Sequence, residues 1–172
     1  MCRLAALLVV ALSLGCSSSE QNGEPPPIDH EQNARDLVPQ AARELSKKLE
    51  RVIGRKGVEP GMSLRLDRVE HLEPQRGGPW IKFSAADRKT ITDALASLGF
   101  TITEEESADL HVDGALVVEV VEGRDPPRPG EERGRLTRSA SYALSFRVRC
   151  AGRIVCVSDT RIRVDSIAKA ED

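Results

Sequence analysis

Apolar side chains recur at every second position near the end of this chain: Tyr142, Leu144, Phe146, Val148 and Cys150, then, past Ala151-Gly152-Arg153, Ile154, Cys156, Ile162 and Val164. Alternation with period two sends one face of an extended chain into a core and the other toward water. The glycine-bearing interruption predicts that the two runs fold back on each other as an antiparallel hairpin. Leu110, Val112, Leu116, Val118 and Val120 form an earlier run of the same kind. It is broken at Gly114, where the missing side chain predicts a bulge or the close approach of another element. Met62, Leu64 and Leu66, alternating with Ser63, Arg65 and Asp67, predict a further half-buried strand, and Phe100 and Ile102 a short one. A sheet of this kind leaves an apolar face that another layer must cover.

The cover is legible as two helices. Val38, Ala41, Ala42, Leu45, Leu49, Val52 and Ile53 fall at the 3-and-4 spacing of one helical face, with Arg43, Glu44, Lys47, Lys48 and Glu50 on the other. Pro39 suits only a first turn, which predicts a start near Leu37; Gly54 or Gly57 can supply the stop. Ser84 can cap a second helix with Asp87 in its first turn, Ile91, Ala94, Leu95 and Leu98 on its apolar face, and Gly99 at its end. The order helix, strand, helix, then four strands predicts an α+β domain over residues 34–168. Its sheet is expected to be mostly antiparallel, four- to five-stranded and covered by two or more helices. Residues 122–138 hold five arginines, four acids, three prolines and three glycines, which predicts an exposed loop.

Ahead of this domain the chain changes character. Residues 4–14, LAALLVVALSL, follow a single positive charge at Arg3 and are apolar or small throughout. Eleven helical residues rise about 16 Å, half of the ~30 Å hydrocarbon core, so the run reads as the h-region of a signal peptide. It ends in Leu14-Gly15-Cys16, which resembles the lipobox of bacterial lipoproteins. That resemblance implies cleavage after residue 15, diacylglycerol and further acyl chains such as palmitate on Cys16, and, with Ser17 rather than aspartate next, retention at the outer membrane. Two or three acyl chains hold a protein firmly where one does so marginally. Residues 17–33 lack an apolar period and are rich in Ser, Pro, Gln, Asn and Glu, the composition of a solvated tether.

Removing residues 1–15 from the 172 leaves 157 with 24 basic against 27 acidic side chains, a charge of -3. Nucleic-acid binding needs a basic footprint and usually stacking aromatics. Trp80, Tyr142, Phe83, Phe100 and Phe146 are the whole aromatic set, so nucleic acid is set aside. No Gly-x-Ser-x-Gly, phosphate-binding loop or HExxH occurs, which speaks against an enzyme and implies no cofactor.

The segments ADLHVDG at 108–114, SYALSFRV at 141–148 and GRIVCVSDTRIRV at 152–164, with the helices LVPQAARELSKKL and DALASLGFTI, resemble those of LpoB-type proteins. These are outer-membrane lipoproteins that activate bifunctional penicillin-binding proteins, related in fold to the periplasmic domain of curli secretion channels. The resemblance covers about residues 34–165, with Asp109, Gly114 and Asp159 at matching positions and Cys156 where the family often has an aromatic. It implies an LpoB-like fold, no catalytic residue and an envelope protein, by family a peptidoglycan synthase, as partner.

Other constellations stand beside that reading. Asp109, His111 and Asp113 would share one strand face and could ligate a divalent ion; a solvated sheet face is the plainer explanation. His30 in the tether and His71 near a turn read as incidental. Trp80 could anchor a partner or cap the edge of the core. Arg124, Arg128 and Arg133 could contact a partner or simply be solvated. If even-numbered positions of both terminal strands face inward, Cys150 lies opposite Ile154 across a three-residue loop and Cys156 opposite Val148. The two thiols are then diagonal neighbours, about 7 to 8 Å apart, which favours free thiols over a bridge. Two rival roles remain: an assembly protein whose sheet edges self-associate, and a metal-binding module.

Overall fold

The computed structural model describes residues 24–71, 81–127, 129 and 134–168. The signal-like run, Cys16, Trp80, Arg128 and Arg133 lie outside the described residues.

Helix α1 spans His30–Glu50, seven residues longer at its start than the periodicity suggested. The cap is Asp29, whose carboxylate accepts the amide of Gln32 at 2.9 Å, and Glu31 and Lys47 with Lys48 complement the helix dipole at its two ends. Pro39 therefore sits in the helix interior rather than the first turn. It deprives the Arg35 carbonyl of its donor, a loss of about 3 kcal/mol in an isolated helix. Burial of Ala34, Leu37, Val38, Ala41, Ala42, Leu45 and Leu49 along one stripe offsets it, at about 1.5 to 3 kcal/mol for each large side chain.

Strand β1 (Ser63–His71) follows, then α2 (Ala85–Ala96). The second helix opens with a reciprocal capping box in which Ser84 and Asp87 each satisfy the other's amide. Strand β2 (Thr101–Ile102) and three 15-residue strands, β3 (Leu110–Arg124), β4 (Leu136–Cys150) and β5 (Arg153–Ile167), complete the domain. The sheet order is β2-β1-β3-β4-β5. The β2·β1 and β1·β3 pairs are parallel, and the long β3·β4 and β4·β5 ladders antiparallel, so the sheet is mixed. Strands β3 and β4 extend to Arg124 and back from Leu136, which shrinks the expected loop. Arg138 and Glu122, placed in that loop by composition, instead pair across the two strands at 2.7 Å.

Helix α1 packs on β5, β4 and α2. Between these layers Leu64, Leu110, Leu116, Tyr142, Leu144, Phe146 and Val148 are buried against Leu37, Leu45, Leu49, Ile91 and Leu95. Gly114 belongs to the same face and marks a close approach: a Cβ there would stand 2.8 Å from the Phe146 ring and 3.0 Å from Val69. The bulge lies in the neighbouring β1, whose register moves from Leu66 opposite Val112 to Val69 opposite Gly114.

The β4–β5 turn is tighter than expected. Ala151 (φ 47°) and Gly152 (φ 75°) alone make it, and Cys150 pairs with Arg153. Two positive φ angles in a two-residue loop suit the right-handed twist of a hairpin. An irregularity after Ile154 then restores the register, so Cys156 does face Val148. The inserted residue is Val155, which is buried, while Ile154 turns outward. Cys150 and Cys156 are free thiols, and burial pushes the Cys156 thiol up.

Candidate functional site

In β3, in β4 and in β5 beyond its irregularity the even-numbered side chains build the core; the odd-numbered ones, joined by Ile154 ahead of the irregularity, form a second face on which no described element packs. Pairing across the strands arranges this face in rows. One row runs Arg65, His111, Arg149, Ile154; the next holds Asp113, Arg147 and Val157. The β1 bulge places both Asp67 and Arg68 opposite Asp113.

Asp67 is the shared partner at this end of the face. His111 Nδ1 lies 3.1 Å from its carboxylate, Arg65 forms an ion pair with it at 3.1 Å and Arg149 approaches it at 4.0 Å, while Arg149 closes on Asp113 at 2.5 Å. Arg88 of α2 fixes the bulge from the side by donating to the carbonyls of Leu66 and Asp67 at 2.8 and 3.2 Å. The network is half-buried, so its geometry is held more firmly than that of an exposed surface pair.

This arrangement separates the three residues considered as metal ligands. Asp109 precedes β3 rather than lying in it, and its carboxylate accepts the amide and hydroxyl of Ser63 at 2.9 and 2.7 Å, tying the starts of β1 and β3 together. Those hydrogen bonds hold its carboxyl below the usual carboxylate range. His111 and Asp113 do share a face, yet one turns to Asp67 and the other to Arg149. Among the described residues no group of three or more His, Cys, Asp or Glu is disposed to hold a metal ion.

Of the arginines considered for partner contact, Arg124 donates to the carbonyl of Gly134 at 3.0 Å and so braces the mouth of the β3–β4 loop. Neither histidine read as incidental is idle. His30 is the first residue of α1 and its Nδ1 lies 2.6 Å from the Tyr142 hydroxyl, with burial and then Arg138 lowering its pKa. His71 Nδ1 accepts the amide of Ile81 at 2.9 Å, and burial lowers its pKa as well.

The residues that sequence reasoning missed are Asp67, Arg147, Ile154 and Val157. Ile154 and Val157 are 55% and 50% exposed, among the few large apolar side chains left in water. A signal for them existed, because 154–157 is an unbroken apolar run, IVCV, and a strand of period two cannot bury four successive side chains on one face.

No helix among the described residues is long and apolar enough to cross a membrane. No protein-family model and no curated protein matches the chain. Among solved structures, it is similar to the LpoB C-terminal domain from Salmonella enterica, with a TM-score of 0.48 and 14% identity over 73% of this chain and 97% of that one. A Xanthomonas campestris protein of the DUF330 family gives a TM-score of 0.30 and 12% identity over 65% of this chain and 70% of that one.

Proposed function

We propose that this chain is a periplasm-facing lipoprotein of the outer membrane, anchored through Cys16, whose domain binds and regulates another envelope protein. By the resemblance of its sequence segments, that partner is a peptidoglycan synthase of the penicillin-binding type. The observation that carries a binding role is the helix-free face of the sheet, where apolar side chains stand in water beside a fixed charge network. A two-layer domain with one face on which none of its described elements packs offers a surface to another macromolecule. Regulation then follows if the partner's active conformation makes the better contacts with that face, since differential affinity is what shifts a conformational equilibrium.

The early start of α1 tightens the reach of the anchor. Residues 17–29 alone would separate Cys16 from the helix, at most about 43 Å when fully extended and ~20 Å on average for a flexible chain. A synthase seated in the inner membrane would have to extend outward to meet the domain.

Replacing Cys16 with alanine should leave an unprocessed precursor that incorporates no labelled fatty acid; continued labelling would remove the anchor from this reading. The purified full chain should raise the glycan-polymerising rate of a bifunctional penicillin-binding protein from the same cells. An unchanged rate at saturating concentration would count against that partner.

A further inference from the structure

We propose that one end of the helix-free face, formed by Arg147 and Arg149 of β4 with Ile154 and Val157 of β5, docks a protein surface that presents carboxylates beside aliphatic side chains. The proposal rests on the binding role above and names its surface and the chemistry of its partner.

Ile154 stands directly across from Arg149, and Val157 directly across from Arg147, so guanidinium and aliphatic groups alternate over two adjacent rows. The two arginines are not equivalent. Asp113 is the register partner of Arg147, yet its carboxylate has turned to Arg149. Arg147 is left exposed, with no ion pair among the described residues. Arg149 is meanwhile held by Asp113 and approached by Asp67, which Arg65 and His111 also share, so the platform is organised before anything binds. A cation without a counter-ion, set between exposed aliphatic groups, fits a carboxylate that arrives with apolar neighbours.

The position of the patch selects among occupants. The chain comes into the domain at the other end, where the Ser166 hydroxyl donates to the carbonyl of Pro26 at 2.7 Å and His30 meets Tyr142. Helix α1 runs from there toward the hairpin turn, near which Cys150 reaches the Gly57 carbonyl and Lys56 the Val155 carbonyl. Ser166 and Ile154 are separated along β5 by about 40 Å at ~3.3 Å per residue. The patch therefore lies far from the end that bears residues 1–23, which disfavours the anchoring membrane as its occupant. A second copy is disfavoured too, because a two-fold contact of the patch with itself would set arginines against arginines.

The test places a benzophenone amino acid at Val157 of the full chain in intact envelopes, with the same probe at Val121, at the opposite end of the face, as comparison. The Val157 probe should form an adduct with a different protein, and the crosslinked peptide should carry aspartate or glutamate. Arg147→Glu should cut that adduct about tenfold or more, as for a residue that matters at an interface, whereas Arg147→Lys should retain most of it. The thermal midpoint of both variants should stay at the wild-type value, since Arg147 is exposed. An adduct only at Val121, or one indifferent to Arg147→Glu, overturns the surface while leaving the binding role standing. Adducts only with lipid or with a second copy overturn the partner chemistry. Absence of any adduct at either position overturns both the surface and the binding role.

Discussion

The ring of Phe146 lies across Gly114 on the neighbouring strand, so near that a Cβ on Gly114 would come within 2.8 Å of it. Phe146 is fully buried beneath the helices and has nowhere to retreat. Gly114→Ala should therefore destabilise the domain by about 1 to 3 kcal/mol, the range for overpacking a filled core. Denaturant unfolding of the full chain measures it, and a loss below about 0.5 kcal/mol would show that ring and backbone can move apart.

Ser158 gives the opposite sign. It is completely buried opposite Phe146, and its hydroxyl has no hydrogen-bond partner among the described residues. A buried hydroxyl left unpaired forfeits its hydration without return. Ser158→Ala should raise stability by about 1 kcal/mol, seen as a higher denaturant midpoint with an unchanged slope. A clear fall in the midpoint would mean that a bound water satisfies the hydroxyl.

His30 predicts a pH dependence. Burial and Arg138 lower its folded pKa below the usual 6.5, while the unfolded chain keeps the ordinary value. Between those two values the unfolded state binds more protons, so stability is fully present above about pH 6.5 and declines as the pH falls through the folded pKa. Protonation would also remove the lone pair that can accept the Tyr142 hydroxyl, whose own pKa is raised by burial, and would set a positive charge at the first turn of α1. His71 acts in the same direction. The thermal midpoint should drop on going from pH 7.5 to 5, and His30→Gln should make that drop shallower. An identical slope in the variant would assign the dependence to other groups.

The elements whose side chains repeat with a clear period were readable before any coordinates. Leu144, Phe146 and Val148 announce their strand, and Ile91 and Leu95 their helix, because burial on one face leaves a periodic trace. What escaped lies where a local rule is broken or where distant residues meet. The start of α1 was hidden by reliance on Pro39, although Asp29 followed three residues later by Gln32 is a capping pattern. The two-residue turn was obscured because Ala151 takes a left-handed conformation usually left to asparagine or glycine. The irregularity at Val155 has no sequence mark beyond the apolar run around it. The charge network was invisible in principle, since Asp67 and His111 are 44 positions apart and only the parallel β1·β3 pairing brings them together. Gly114 shows the middle case, where the sequence posed bulge or close approach and the packing of Phe146 supplied the answer.

The first helix of the domain rests on its last strand: α1 begins at His30, and its apolar stripe is covered by β5, which ends at Ile167. A nascent chain emerging from its N-terminus consequently exposes the stripe of α1 long before the surface that buries it has been made. The parallel pairing of β1 with β3 adds another long closure, since Leu64 must wait for Leu110. Contacts so distant in sequence slow folding, because the entropy of closing the chain is lost before the contacts return anything. The core thus closes fully only when β5 has appeared, so the apolar stripe of α1 stays open to contact with other chains until nearly the end of synthesis.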